Sequence, residues 1–128
     1  AKPKTFLDFG AGLGSGSIAF NNLYPDNDFI LGVEPSDAMK KLGKFLTSDL
    51  ENLTWASNLS QSLNYRHHLE YDIVYCGSVL AEIPTPEQRV NIIESLWEKV
   101  KPGGFFVLVE PGSPTGFRFV KDTRDLFV

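Results

Sequence analysis

The sequence is poor in the residues that cross-link a chain or bind metal. It has one cysteine, Cys76, in 128 residues, which excludes an internal disulfide and fits a reducing compartment. Two histidines, His67 and His68, stand side by side after Arg66 in a polar stretch. With no cysteine or carboxylate at ligand spacing they do not read as a metal site. No run of about 18 apolar residues occurs, so no segment has the length of a membrane-spanning helix. Positive charge is scarce too: the net charge is −4, without the broad positive field of a self-sufficient nucleic-acid binder. Any RNA contact then needs basic surface supplied from elsewhere. The opening Ala1-Lys2-Pro3-Lys4 shows no signal or transit-peptide pattern. The chain stops on the apolar Leu126-Phe127-Val128, and natural termini are usually polar and loose. The expectation is therefore one domain spanning residues 1–128, cut from a longer polypeptide.

What is present is a regular alternation of apolar strands and amphipathic helices. Residues 5–9, Thr-Phe-Leu-Asp-Phe, read as a buried strand, followed by a glycine-rich turn over 10–16. A short helix over 17–23 has to end before Pro25. Residues 29–33 form a second apolar strand closed by Glu34-Pro35. Ser36 is a good N-cap for the next helix, whose Met39, Leu42, Phe45 and Leu46 fall on one face. Residues 54–56 give a short third strand and 71–76 a fourth, with Asp72 its only charge. Thr85-Pro86-Glu87-Gln88 carries a cap, a proline at the first helical position and a capping-box glutamine. Val90, Ile93, Trp97 and Val100 mark the buried stripe expected of that helix, and Lys101-Pro102-Gly103-Gly104 its stop. Residues 105–109 form a fifth strand, and a last helix begins near Gly116. Near-continuous apolar strands joined by helices predict a mostly parallel sheet covered on both faces, a Rossmann-like three-layer α/β sandwich. The fifth strand is expected to present an unpaired edge, which invites pairing or aggregation unless covered.

The chemistry-bearing residues cluster where such strands end. Asp8-Phe9-Gly10-Ala11-Gly12-Leu13-Gly14 stands at the end of the first strand, and glycines there let the backbone turn tightly and approach a ligand. A dinucleotide fingerprint needs Gly-x-Gly-x-x-Gly, yet Ser15 or Ser17 stands at the third glycine position in either register. The spacing resembles instead the first motif of class I methyltransferases, and the loop would hold S-adenosylmethionine; a plain tight turn is the alternative. Glu34, at the end of the second strand, can accept two hydrogen bonds from ribose hydroxyls, or it is a solvated strand-end charge. Ser57 and Asn58 end the third strand, where adenine edges are read in that superfamily; a turn-forming pair is the other reading. Cys76-Gly77-Ser78-Val79-Leu80-Ala81-Glu82 follows the fourth strand and should face the transferable methyl group, with Ser78 its candidate cofactor contact. It lacks the Asn/Asp-Pro-Pro-Tyr stretch of many amino-group methyltransferases and the Pro-Cys nucleophile of cytosine-C5 enzymes. Cys76 reads as a small buried residue, Glu82 as a surface carboxylate rather than a base. Arg118, Lys121 and Arg124, interspersed with Asp122 and Asp125, read first as a solvated face and second as phosphate contacts. No catalytic residue can be assigned.

Val109-Glu110-Pro111-Gly112-Ser113-Pro114-Thr115-Gly116-Phe117 narrows the field. Together with Asp8–Gly14, Val33–Ser36 and Ser78–Pro84, it resembles the methyltransferase-like family of mitochondrial small ribosomal subunit assembly, whose bacterial relatives are regarded as ribosomal RNA methyltransferases. In that family a Glu-Pro-Gly-Thr/Ser-Pro-x-Gly-Phe segment is followed by an arginine-bearing helix, and Arg124 occupies the matching place. The resemblance covers nearly the whole chain. It implies S-adenosylmethionine held by Gly10, Gly12, Gly14 and Glu34, a place in the mitochondrial matrix, and small-subunit rRNA, ribosomal or assembly proteins and the rest of the same polypeptide as partners, with no membrane. It also implies an iron–sulfur cysteine cluster outside this segment, which Cys76 does not match, so no metal is expected here. Three roles stay open: an RNA methyltransferase, an assembly protein that keeps the fold without turnover, and a small-molecule methyltransferase.

Overall fold

Strand 1 is apolar on both faces, which demands cover on both sides, and the fold supplies it. The computed structural model describes residues 2–60, 70–77, 79–110, 112 and 114–127. In chain order the elements are β1 (Thr5–Phe9), α1 (Ser15–Leu23), β2 (Phe29–Val33), α2 (Asp37–Leu46), β3 (Leu53–Ala56), β4 (Tyr71–Gly77), a 3₁₀ turn (Leu80–Glu82), α3 (Pro86–Trp97), β5 (Val100–Val109) and α4 (Pro114–Asp125). The five strands lie in the order β3-β2-β1-β4-β5, and every pairing is parallel. On one face Leu7, Leu31, Val74 and Cys76 are buried with Leu96 of α3. On the other, Phe6 and Ile30 pack on Phe20 of α1, with the Phe6 and Phe20 rings stacked at 4.5 Å.

Two expectations for the second half need correction. The buried stripe of α3 is Ile93 and Leu96, not a line through Trp97 and Val100. The helix stops at Trp97, whose half-exposed ring packs on Phe127 at 4.7 Å. Val100 already belongs to β5, opposite Tyr71. The segment Lys101-Pro102-Gly103-Gly104 is therefore no helix stop but an irregularity within the strand. The register shifts between Tyr71 and Ile73, which pair with Val100 and Phe105. Gly103 takes φ +83°, and a Cβ on Gly104 would lie 2.6 Å from the Asp72 carbonyl oxygen. Both glycines are what the bulge requires.

Thr85 caps α3 as its sequence predicts, its Oγ1 accepting from the Gln88 N–H at 3.2 Å. Ser36 likewise caps α2, accepting from Met39 N–H. The apolar stripe of α2, however, does not turn to the sheet: Met39, Leu42, Phe45 and Leu46 are all exposed, Phe45 by 75%. The helix rests on the sheet through Gly43, the residue small enough to let Trp55 of β3 lie against its backbone. At the other end of the sheet β5 is the outer described strand. Its Phe105 (68% exposed), Val107 and Val109 point away from α3 and are uncovered.

The amino end of the sheet is fastened by one side chain. Asp72 Oδ2 accepts from the Lys4 and Thr5 backbone N–H groups at 2.7 and 3.1 Å and from Thr5 Oγ1 at 3.3 Å, and Lys101 lies 3.7 Å from Oδ1. Partial burial works against the charge, yet these donors hold the carboxyl below its ordinary value of 3.8. A depressed carboxylate adds stability above the unfolded value and loses it as pH falls through the folded one. Asp72→Asn should therefore lower the denaturant midpoint at neutral pH. The difference from the parent chain should shrink in acid below 3.8; a gap that stays constant there would remove the ionised form from the explanation.

Candidate functional site

The carboxyl ends of β1, β2 and β3 converge on the glycine loop. Gly10 and Ala11 both donate their N–H to the Val33 carbonyl, at 2.9 and 3.0 Å, tying the loop to the end of β2. One residue on, Glu34 binds loop and helix together: Oε1 accepts from Gly12 N–H and Oε2 from Ser36 N–H, both at 2.9 Å. Each carboxylate oxygen thus spends one lone pair on the backbone and keeps another.

The three glycines have different tasks. A Cβ on Gly10 would meet Val79 Cγ2 at 2.1 Å, and one on Gly14 would meet Thr47 Cγ2 at 2.8 Å and the Trp55 ring at 3.4 Å. Those positions are small because protein lies against them. Gly12, at φ +56°, would meet only the tip of Met39, at 3.8 Å. Of the three, Gly12 alone borders open space, between Glu34 and the first turn of α2.

Asp8 faces away from that space. Its carboxylate, 1% exposed, turns beneath the loop, where Oδ2 accepts from Ser17 N–H at 3.0 Å and Ser17 Oγ at 2.7 Å. Burial pushes the Asp8 carboxyl above its ordinary value, against these two bonds. Its task is to fix the start of α1. A Cβ on Gly16 would sit tightly against the same carboxylate and the Tyr75 ring, both near 3.3 Å.

Ser57 and Asn58 follow β3. The Ser57 hydroxyl accepts from the Lys40 ammonium, and Asn58 Oδ1 accepts from Ser60 Oγ at 2.5 Å. Ser78, like His67 and His68, lies outside the described residues. Beyond it the segment after β4 abuts the loop through Val79, and the Leu80 N–H donates to Glu110 Oε1 at 3.2 Å. Glu110 Oε2 is buried without a hydrogen-bond partner among the described residues. Cys76 is buried, and burial, with the Glu110 and Asp8 carboxylates nearby, pushes its thiol up to about 12. It stays a protonated thiol at neutral pH and is no nucleophile. Glu82 is exposed on the 3₁₀ turn, and Arg118, Lys121 and Arg124 are exposed on α4, with Arg124 3.2 Å from Asp125. Among the described residues no group of three His, Cys, Asp or Glu can hold a metal. A separate cleft of about 720 Å³ opens at the amino ends of β1, β4 and β5, where Asp72 is already engaged by its neighbours.

Lys40, which bonds Ser57, and Glu110, which bonds the Leu80 N–H, carry no separate site signal in the sequence. Lys40 sits four residues after its helix cap, inside a run of lysines that looks solvated. Glu110 entered only as part of a motif.

A parallel sheet in this order, with a glycine loop after the first strand and an acid bound to it after the second, is the core fold of the class I S-adenosylmethionine-dependent methyltransferases. Solved structures bear this out. PKMT2 from Rickettsia typhi, in complex with AdoHcy, superposes with a TM-score of 0.67 at 27% identity over 80% of this chain and 20% of that one. The N-methyltransferase NodS from Bradyrhizobium japonicum WM9, in complex with S-adenosyl-L-homocysteine, gives 0.70 at 16% identity, over 95% of this chain and 66% of that one. The chain belongs to the mitochondrial small ribosomal subunit Rsm22 family, whose model matches residues 1–128. It is 31% identical over 130 residues to the mitochondrial ribosome assembly protein METTL17 of Homo sapiens. It is 27% identical over 128 residues to the mitochondrial Rsm22-cox11 tandem protein 2 of Schizosaccharomyces pombe. It covers 98% and 96% of itself in these matches, but spans only 28% of the human protein and 17% of the yeast one.

Proposed function

We propose that this chain is the S-adenosylmethionine-holding core of a methyltransferase-like factor that serves assembly of the mitochondrial small ribosomal subunit. The carrying observation is the Glu34 carboxylate. It is fixed by Gly12 and Ser36 amides beside the open space over Gly12, with acceptor capacity left for two ribose hydroxyls. In this reading Gly12, Glu34, Ser57 and Asn58 touch the cofactor. Gly10, Gly14 and Asp8 shape the loop from behind, and Ser78 is the candidate contact for the methyl end. When bound, the cofactor supplies a methyl group on a sulfonium, activated for transfer. The chain's own residues bind and orient it.

The assembly role rests on the Rsm22 family and on the relatives' mitochondrial names. Partners are ribosomal RNA of the small subunit, ribosomal or assembly proteins, and the remainder of a longer polypeptide. An iron–sulfur cluster would need cysteines beyond Cys76, supplied outside this chain. With a net charge of −4 the core brings no basic field of its own to RNA, which favours a role in which other parts make the RNA contact. Calorimetric titration with S-adenosylhomocysteine tests the reading: one-site binding is expected, and no heat of binding would refute it. Transfer of a labelled methyl group to small-subunit rRNA then separates an enzyme from a scaffold that keeps the cofactor.

A further inference from the structure

An unbroken hydrogen-bonded arc joins the glycine loop to the far end of β3. Gly12 N–H and Ser36 N–H both donate to Glu34; Lys40 N–H donates to the Ser36 carbonyl at 2.9 Å; and the Lys40 ammonium donates to Ser57 Oγ. The last link is unusual for a helix-surface lysine. Such side chains normally extend their charge to water, whereas the Lys40 side chain is only 15% exposed and lies across the end of β3. Its ion pair explains little of this. Asp37 Oδ1 is 3.7 Å away on a side chain that is 96% exposed, and pairs of that kind contribute little. The arc runs from Glu34 at one end to Ser57 at the other, the two side chains read above as cofactor contacts.

We propose that Lys40 is a positioning residue of the adenosine end of the site: it acts through Ser57, fixing that hydroxyl at the end of β3. This inference rests on the cofactor reading above and adds a residue to it.

A double-mutant cycle on the full chain tests it, with S-adenosylhomocysteine as the probe and affinity read by calorimetry. Lys40→Met keeps most of the stem and removes the ammonium; Ser57→Ala removes the hydroxyl. Each is expected to weaken binding about fivefold, the scale of one hydrogen bond. The double variant should be no weaker than Ser57→Ala alone, because the two act as one unit. Lys40→Arg should recover most of the affinity, and Lys41→Met, on the exposed side of the same helix, should bind like the parent chain. Thermal melts establish that each variant is folded. Multiplying effects in the double variant, about 25-fold in all, would overturn the proposal, as would a folded Lys40→Met chain with undiminished affinity. If the parent chain itself takes up no S-adenosylhomocysteine, the cofactor reading falls and this inference with it. If the parent binds and only the cycle fails, the role of Lys40 alone is refuted.

Discussion

Gly12→Val is expected to abolish S-adenosylmethionine binding while leaving the fold in place. The position differs from its two neighbours in the loop. A side chain at Gly10 or Gly14 collides with Val79 or Thr47, so a loss of binding there would report damage to the protein. At Gly12 the added atoms meet only the Met39 tip and project into the space beside Glu34. The backbone does resist, since φ +56° is a left-handed conformation that costs a residue with a Cβ about 1–2 kcal/mol. Gly12→Asn controls for this, because asparagine visits that region with little strain and still fills the space. Both variants should retain a cooperative melt, and calorimetry should show at least a tenfold loss for Asn and no measurable binding for Val. Wild-type affinity in either folded variant would place the cofactor somewhere other than over Gly12.

Gly43→Ala is expected to destabilise the chain from behind the glycine loop. The new Cβ would lie 2.5 Å from Trp55 Cη2, 2.8 Å from Cζ2 and 3.2 Å from the Gly12 carbonyl oxygen. The helix itself gains from the exchange, since alanine is the better helix former by roughly 1 kcal/mol. The collision is larger, because overpacking a fitted contact costs about 1–3 kcal/mol and both partners are held, one by the sheet and one by the loop. The net expectation is a lower denaturant midpoint, with a change in Trp55 emission as the ring gives way. A midpoint equal to or above that of the parent chain would show that α2 can ride outward freely, as its exposed stripe would permit.

The first half of the chain was legible because its signals are local. Residues 5–9 and 29–33 are apolar runs bounded by glycine, proline or a cap, and the strands begin and end where those residues fall. Ser36 and Thr85 announced their helices by the same kind of short-range chemistry. The second half misled where two readings share one residue type. Lys101-Pro102-Gly103-Gly104 carries the proline and glycines of a helix stop, yet parallel pairing with β4 needs two glycines there to build a bulge. Trp97 and Val100 continue the helical spacing of Val90 and Ile93, but three or four residues of periodicity cannot show that the chain has already turned into a strand.

The site was legible in outline and opaque in detail. Glycine spacing marks a loop, but it does not tell which glycine faces a ligand and which faces Val79 or Trp55. That division depends on residues more than thirty positions away. Asp8 read as part of the cofactor motif, and its hydrogen bonds to Ser17 are the work of a residue that anchors a helix start. Lys40 was hidden among three lysines of one helix, and only the packing of α2 against the end of β3 separates it from Lys41 and Lys44.

Trp55 has a consequence for how this sequence can drift over evolutionary time. Its indole lies against Gly14, Gly32 and Gly43, on three different segments. A mutation at Gly43 is harmful only while the large ring is there, so the order of substitutions matters. A chain that first shrinks the ring to leucine or valine opens the room in which alanine at position 43 becomes an improvement, whereas the reverse order passes through a weakened intermediate. Among relatives the two positions should therefore change together, with a bulky aromatic beside glycine or a smaller aliphatic beside alanine. Gly14, held at φ +95°, should stay glycine in both lineages.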